Sequence, residues 1–280
     1  MISSHKKQKA LRVGGAAAAF TLVALTGAAV PAGAQATLPS AAAPAPPAFS
    51  CTAPAGMARF NYALHHTARR LSNGEPLTVV AIGSSSTAGA GASSSAASYP
   101  SRLAVELKQI FPGHEITVLN RGINGEVTEQ MMARFATGVI AAHPDLVVWQ
   151  VGTNSVLHDS PLKPHSVLLR EGIAGLRDAG ADVVLMDMQF APKVLAKPET
   201  EGMEEQIVLA AKEASVDLFA RFAIMRDWHE VRHMPFDAFI APDQLHMNDW
   251  GYACVAKLLS AAITEAATRP VASAAVHSQH

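Results

Sequence analysis

A three-layer α/β fold around a five-stranded parallel sheet follows from three features of this sequence. Five short apolar runs rich in β-branched residues alternate with stretches that repeat apolar side chains at helical spacing. The runs are apolar throughout instead of at every second position, as strands covered on both faces require. The runs also end in loops of small and polar residues, the composition found at the carboxyl edge of an open parallel sheet.

The elements follow in order. Residues 57–71 read as an opening helix. Leu77-Thr78-Val79-Val80-Ala81-Ile82, after a cluster of Asn, Gly and Pro, is the first strand. Residues 101–111 carry Leu103, Leu107, Ile110 and Phe111 at helical spacing and stop at Pro112-Gly113. Residues 116–119 form a second strand and 127–142 a helix. Residues 146–151 form a third strand, and 166–179 a helix closed by Gly180. Residues 183–188 are the fourth strand. The helix over 203–214 has an acidic first turn, which suits its dipole. A short fifth strand spans 216–219, and the last helix 251–267. Crossovers between parallel strands are right-handed by default. No internal repeat and no second domain is visible.

The amino-terminal region has its own logic. Residues 1–34 combine a basic start (Lys6, Lys7, Lys9, Arg12), an uncharged Ala-rich apolar run and a small-residue Ala32-Gly33-Ala34 sequence. That is the three-part pattern of a secretory signal peptide, so an exported product, periplasmic or extracellular, is expected. Residues 35–54 form a Pro/Ala-rich linker, 55–268 the folded domain and 269–280 a disordered tail. Residues 1–34 hold four of the 22 basic residues and none of the 23 acidic ones, leaving 18 against 23 and a net charge of −5. An acidic chain with no second long apolar run argues against nucleic acid and against stable membrane insertion. Cys51 and Cys254 are the only cysteines. In an exported protein they form either one disulfide or two buried thiols. They complete no zinc-like spacing, so no metal is expected.

Four loops at strand ends carry the residues that suggest chemistry. Gly83-Ser84-Ser85-Ser86 follows the first strand and reads equally as a polar N-cap or as a nucleophile on a rigid turn. Asn120-Arg121-Gly122-Ile123-Asn124-Gly125 follows the second, with Gly125 able to present a bare N–H. Gly152-Thr153-Asn154 follows the third and places an amide at the same rim. Asp243-Gln244-Leu245-His246 precedes the last helix, and a carboxylate three residues from an imidazole can hold Nδ1 and leave Nε2 as a base. Each motif alone is weak.

In this order, from the first strand to the last helix, the Ser, Gly, Asn and Asp-x-x-His motifs resemble the SGNH (GDSL-type) hydrolase superfamily. The Asn-to-Gly spacing from Asn120 to Gly125 and the His-Met-Asn-Asp-Trp-Gly-Tyr run that begins at His246 are also similar to that superfamily. The resemblance implies a flavodoxin-like sheet and a serine esterase that uses no metal or cofactor. It implies Ser85 as nucleophile, His246 as base and Asp243 as its orienter. The oxyanion donors would be the N–H groups of Ser85 and Gly125 with the Asn154 amide. One departure stands out: Ser84 occupies the place of the usual aspartate of a Gly-Asp-Ser-Leu motif. The expected substrates are short-chain, acetyl-type esters on carbohydrate, cell-envelope or small acyl compounds, because residues 88–98 contain no Leu, Ile, Phe or Met to hold an acyl tail. Long-chain acyl hydrolysis, acyl transfer with the same residues and a silent glycan-binding relative remain as alternatives, and the sequence says nothing of oligomeric state.

The remaining candidates have plainer readings. Met186, Met188 and Met203 are expected as core filler. His229 and His233 lie four residues apart without a carboxylate to complete a metal site. Trp228, Phe236 and Phe239 either line an acyl or sugar pocket or pack the loop that follows them.

Overall fold

The computed structural model describes residues 49–160 and 165–269, so the expected signal peptide, most of the expected linker and all but the first residue of the expected tail lie outside the described residues. Its sheet comprises β1 (Leu77–Gly83), β2 (Ile116–Gly122), β3 (Leu146–Gln150), β4 (Asp182–Met186) and β5 (Asp217–Phe219). All pairings are parallel, in the order β2-β1-β3-β4-β5. The chain runs from β1 out to one edge, then crosses back past β1 to build the other side. That reversal places a topological switch point between β1 and β3, where open α/β sheets form a crevice at their carboxyl ends.

Burial explains why the strands read as unbroken apolar runs. Val79, Val80, Ala81 and Ile82 of β1 and all five residues of β3 are buried, with side chains on both faces covered. Edge strand β2 is only half-buried or exposed after Ile116. The helices in chain order are α1 (His65–Asn73), α2 (Ser85–Ala88), α3 (Tyr99–Ile110), α4 (Thr128–Ala133), α5 (Phe135–Gly138), α6 (Thr153–Leu157), α7 (His165–Asp178), α8 (Pro192–Leu195), α9 (Thr200–Ala214), α10 (Arg221–Arg226) and α11 (Asp249–Thr268). α11 packs against α1 and α3, while α7 packs against α4 and α9. Among the described residues no helix is long and apolar enough to cross a membrane.

Three elements differ from expectation, each for a tertiary reason. The opening helix begins at His65 instead of residue 57, because Asp217 Oδ1 accepts the N–H groups of Asn61 and Tyr62 at 2.6 and 3.2 Å. Those bonds tie the bend at residues 61–62 to the start of β5. The helix expected over 127–142 breaks at Arg134, which caps α4 and whose side chain bonds back toward β2. Strand β2 runs on to Gly122, so Asn120 and Arg121 belong to the sheet and not to the loop after it.

Cys51 and Cys254 form a disulfide, with Cα atoms 5.4 Å apart across 203 residues of chain. It fastens the segment ahead of α1 to α11. Trp228, in a π-helical turn after α10, adds to this by donating from Nε1 to Thr52 O at 2.9 Å.

Candidate active site

The site is built where β1 ends. Three consecutive serines there face three different partners. Ser84 is buried, and its N–H and Oγ donate to Gln150 Oε1 at 2.9 and 3.0 Å. Ser86 is buried, and its Oγ accepts from Arg221 Nη1 at 3.1 Å. Ser85, the first residue of α2, is half-buried, and its Oγ donates to His246 Nε2 at 2.7 Å.

His246 is presented by a tight antiparallel excursion. Ile240 bridges Met247, and Ala241 N–H donates to His246 O at 2.8 Å. At the tip, Gln244 takes φ +60, a left-handed conformation that costs energy for a side chain with a Cβ. The Asp243 carboxylate compensates. Its Oδ1 accepts the N–H groups of Leu245 and His246, both at 3.0 Å, and its Oδ2 accepts from His246 Nδ1 at 2.5 Å. With the ring proton on Nδ1, the lone pair of Nε2 faces Ser85. Burial pushes the Asp243 pKa up, but the hydrogen bonds from His246 and Leu245 outweigh it and hold the carboxyl below its ordinary range. The orienting group therefore stays ionised, as stabilising an imidazolium requires.

The residues after α2 and the start of α11 lace these loops together. Gly91 has φ +84, and a Cβ there would sit 2.7 Å from Met247 O and 2.8 Å from His246 Cβ, so only glycine allows this approach. Asn248 caps α11 by accepting from Gly251 N at 3.0 Å. The Asp249 carboxylate accepts from Ser93 N and Oγ at 2.7 and 2.5 Å. Tyr252 OH donates to Ala90 O at 2.6 Å. Several members of the His246–Tyr252 run thus hold the segment that follows Ser85.

The other two loops come from β2 and β3. Asn120 Nδ2 donates to Thr87 O at 2.9 Å, which fastens α2 to the end of β2. Gly125 lies beyond, exposed and at φ +82. Asn154, in α6, is buried, and its Nδ2 donates to Glu126 O at 2.9 Å. That bond uses one of two amide hydrogens and ties the Gly125 loop to the Asn154 side chain. The chain segments of Ser85, Gly125, Asn154, Asp243 and His246 are all reached by strand ends at one edge of the sheet or by the loop facing it.

Several supports escaped sequence reasoning. The Glu126 carboxylate accepts from Arg134 Nη2 at 2.5 Å, and Arg134 Nη2 also donates to Arg121 O at 2.7 Å, so this pair braces the Gly125 loop. The only signal for it is an acid eight residues before an arginine. Gln150, Gln189 and Arg221 are buried polar residues inside or just after expected apolar runs, and their polarity was the signal.

The remaining candidates divide. Met186, Met188 and Met203 are fully buried, as expected of core filler. Trp228 and Phe239 are buried and meet edge to face at 5.6 Å, so they pack the loop. Phe236 is half-buried and lines a cleft of about 500 Å³ with Pro192, Ile240 and Gln244. His229 stacks on Phe236 with ring centroids 3.9 Å apart, and its Nδ1 bonds Met234 O. Among the described residues no group of three His, Cys, Asp or Glu side chains gathers as metal ligands would.

Fold and site together define an SGNH-type hydrolase. A model of the Non-GDSL lipase-like family matches residues 50–269, and the chain belongs to that family. It is 34% identical to an arylesterase of Vibrio mimicus over 80 residues, which is 29% of this chain and 40% of that protein. It is 27% identical to an acetylxylan esterase of Geobacillus stearothermophilus over 163 residues, covering 54% of this chain and 74% of that one. The fold is similar to a two-domain esterase active on acetylated mannans, with TM-score 0.66 and 20% identity over 76% of this chain and 56% of the other. It is also similar to the solved Geobacillus acetylxylan esterase, with TM-score 0.57 and 20% identity over 67% of this chain and 94% of that one. The chain thus spans 40% of the arylesterase and 56% of the two-domain esterase.

Proposed function

We propose that the protein is an exported esterase that hydrolyses short-chain, acetyl-type esters on carbohydrate. The observation that carries this reading is the continuous hydrogen-bonded line from Ser85 Oγ through His246 to Asp243. A free serine hydroxyl is a weak nucleophile at neutral pH and needs an adjacent base. In the proposed reaction His246 Nε2 takes the Ser85 proton as Oγ attacks the ester carbonyl carbon. The same proton passes to the leaving alkoxide, and an acetyl-Ser85 ester remains. Water, activated by His246, then releases acetate and restores the serine. The N–H groups of Ser85 and Gly125 and the second hydrogen of Asn154 Nδ2 would face the oxyanion.

Support for the sugar-borne acetyl group comes from the similar proteins. One is an acetylxylan esterase, and another acts on acetylated mannans. Solved forms of the Geobacillus enzyme include catalytic mutants at a serine, a histidine and an aspartate, the aspartate three residues ahead of the histidine, as Asp243 is of His246. Export is supported by the pattern of residues 1–34 and by the Cys51–Cys254 disulfide. Release of acetate from acetylated xylo-oligosaccharides, blocked by a serine-directed fluorophosphonate, is the expected result. No acetate release, or release indifferent to the inhibitor, would overturn the reading.

Two further outcomes are expected. Asn154→Ala should lower kcat by about a hundredfold or more and leave slow, measurable turnover, since one oxyanion donor is lost. A wild-type rate in that variant would remove Asn154 from the oxyanion hole. Across p-nitrophenyl esters, kcat/KM should fall steadily from C2 to C8. The segment after Ser85 supplies only small side chains, and a tail left in water forgoes about 0.8 kcal/mol per methylene. A specificity constant that rises toward C8 would place an acyl groove in the cleft beside Phe236 and point to a lipase or thioesterase.

A further inference from the structure

Beneath the site lies a buried polar hub that the reaction itself does not touch. Arg221 opens α10 and is fully buried. Its Nη1 donates to Ser86 Oγ at 3.1 Å; its Nη2 donates to Asp187 O at 2.5 Å and to Gln189 Oε1 at 3.1 Å. Gln189 is buried as well, and its Oε1 also accepts from Thr153 Oγ1 at 3.0 Å. Its Nε2 donates to Leu245 O at 3.3 Å. Ser86, Thr153 and Leu245 are the chain neighbours of Ser85, Asn154 and His246. Two side chains therefore reach all three segments of the site from below.

Stability alone is a poor reason for burying such a group. Burial of a guanidinium costs several kcal/mol, and apolar side chains of similar volume often serve a fold as well. The charge is balanced nearby by Asp187, whose Oδ1 accepts from Phe222 N at 2.8 Å, and by Glu204, whose side chain hydrogen-bonds Asp187. Burial raises the pKa of both Asp187 and Glu204, while the nearby guanidinium of Arg221 opposes the rise. What the arrangement adds is connection between the turn after β1, the start of α6 and the histidine loop.

We propose that Gln189 and Arg221 are positioning residues, which clamp the segments bearing Ser85, Asn154 and His246 into one rigid unit. The proposal rests on the esterase reading above. Misplacing reacting groups by about 1 Å costs on the order of a hundredfold in rate, so loss of the clamp should show in kcat and not in KM.

The test compares Gln189→Met, Gln189→Glu and Thr153→Val with wild type on p-nitrophenyl acetate and measures the rate of inactivation by a fluorophosphonate. Gln189→Met keeps the volume and removes every polar contact. We expect kcat to fall by about ten- to a hundredfold with KM little changed, and the inactivation rate to fall in parallel. Gln189→Glu keeps the acceptor for Arg221 and Thr153 and loses the donor to Leu245 O, so it should recover part of the loss. A folded Gln189→Met with wild-type kcat and inactivation rate would overturn the proposal. If that variant does not fold, Thr153→Val decides. It severs a single arm, and an unchanged kcat there would overturn the clamp, whereas a severalfold loss at constant KM supports it. A wild-type protein that hydrolyses no acetyl ester would overturn the esterase reading, while the inactivation rates still report on the clamp.

Discussion

Ser85→Ala should lower ester hydrolysis by about a millionfold, to the rate left by binding and the oxyanion donors alone. The fold and thermal midpoint should stay near wild type, because the lost hydroxyl is half-buried and its partner His246 remains held by Asp243. The neighbouring serines make the experiment decisive. Ser84→Ala removes the Oγ bond to Gln150 and keeps the backbone one, and Ser86→Ala removes one bond to Arg221; both should retain measurable turnover. Mass spectrometry after fluorophosphonate treatment should place the adduct on Ser85. An adduct on Ser84 or Ser86, or an active Ser85→Ala, would sink the assignment.

Replacing both cysteines by serine should destabilise the protein by as much as about 5 kcal/mol. The bridge closes a loop of 203 residues, and the entropy it removes from the unfolded chain grows with loop length. For a domain of this size that corresponds to a fall in thermal midpoint of about 10–20 °C. Scanning calorimetry of the variant, and of wild type with and without reductant, measures it. Non-reducing mass spectrometry of protein expressed with export to the periplasm should find the bridge intact. Two free thiols there, or a midpoint indifferent to reductant, would remove the disulfide from the account of stability.

The sheet was legible in the sequence because burial on both faces leaves an unmistakable trace. All five strands of the sheet overlap the expected apolar runs, most fully β1 and β3, while β2 continues past its run to Gly122. The helices were legible where one amphipathic face packs, as in α3, α7 and α9, and illegible where tertiary bonds decide. Residues 60–64 carry a helical pattern and are instead bent, with Asn61 and Tyr62 bonded to Asp217. Arg134 interrupts a helical pattern to serve Glu126 and Arg121. At the site, residue types and chain order pointed to Ser85, Gly125, Asn154, Asp243 and His246, because each must be one of few chemical types. Their supports were silent. A buried glutamine or arginine bonds whatever lies beside it in space, and neither Gln189 nor Arg221 has a local pattern to announce its partners.

The 161 residues that separate Ser85 from His246 have a consequence for when the protein becomes active. During synthesis the chain emerges from its amino terminus, so all five strands exist before Asp243 and His246 leave the ribosome. On the proposed esterase reading, a nascent or truncated chain has Ser85 but not yet His246 beside it. α11 packs on α3 and carries Cys254, and under the proposed export its bridge to Cys51 would form in an oxidising compartment. Reactivity is thus the last property that the chain acquires. The order of synthesis postpones it until the molecule is whole, and oxidation then secures the finished form.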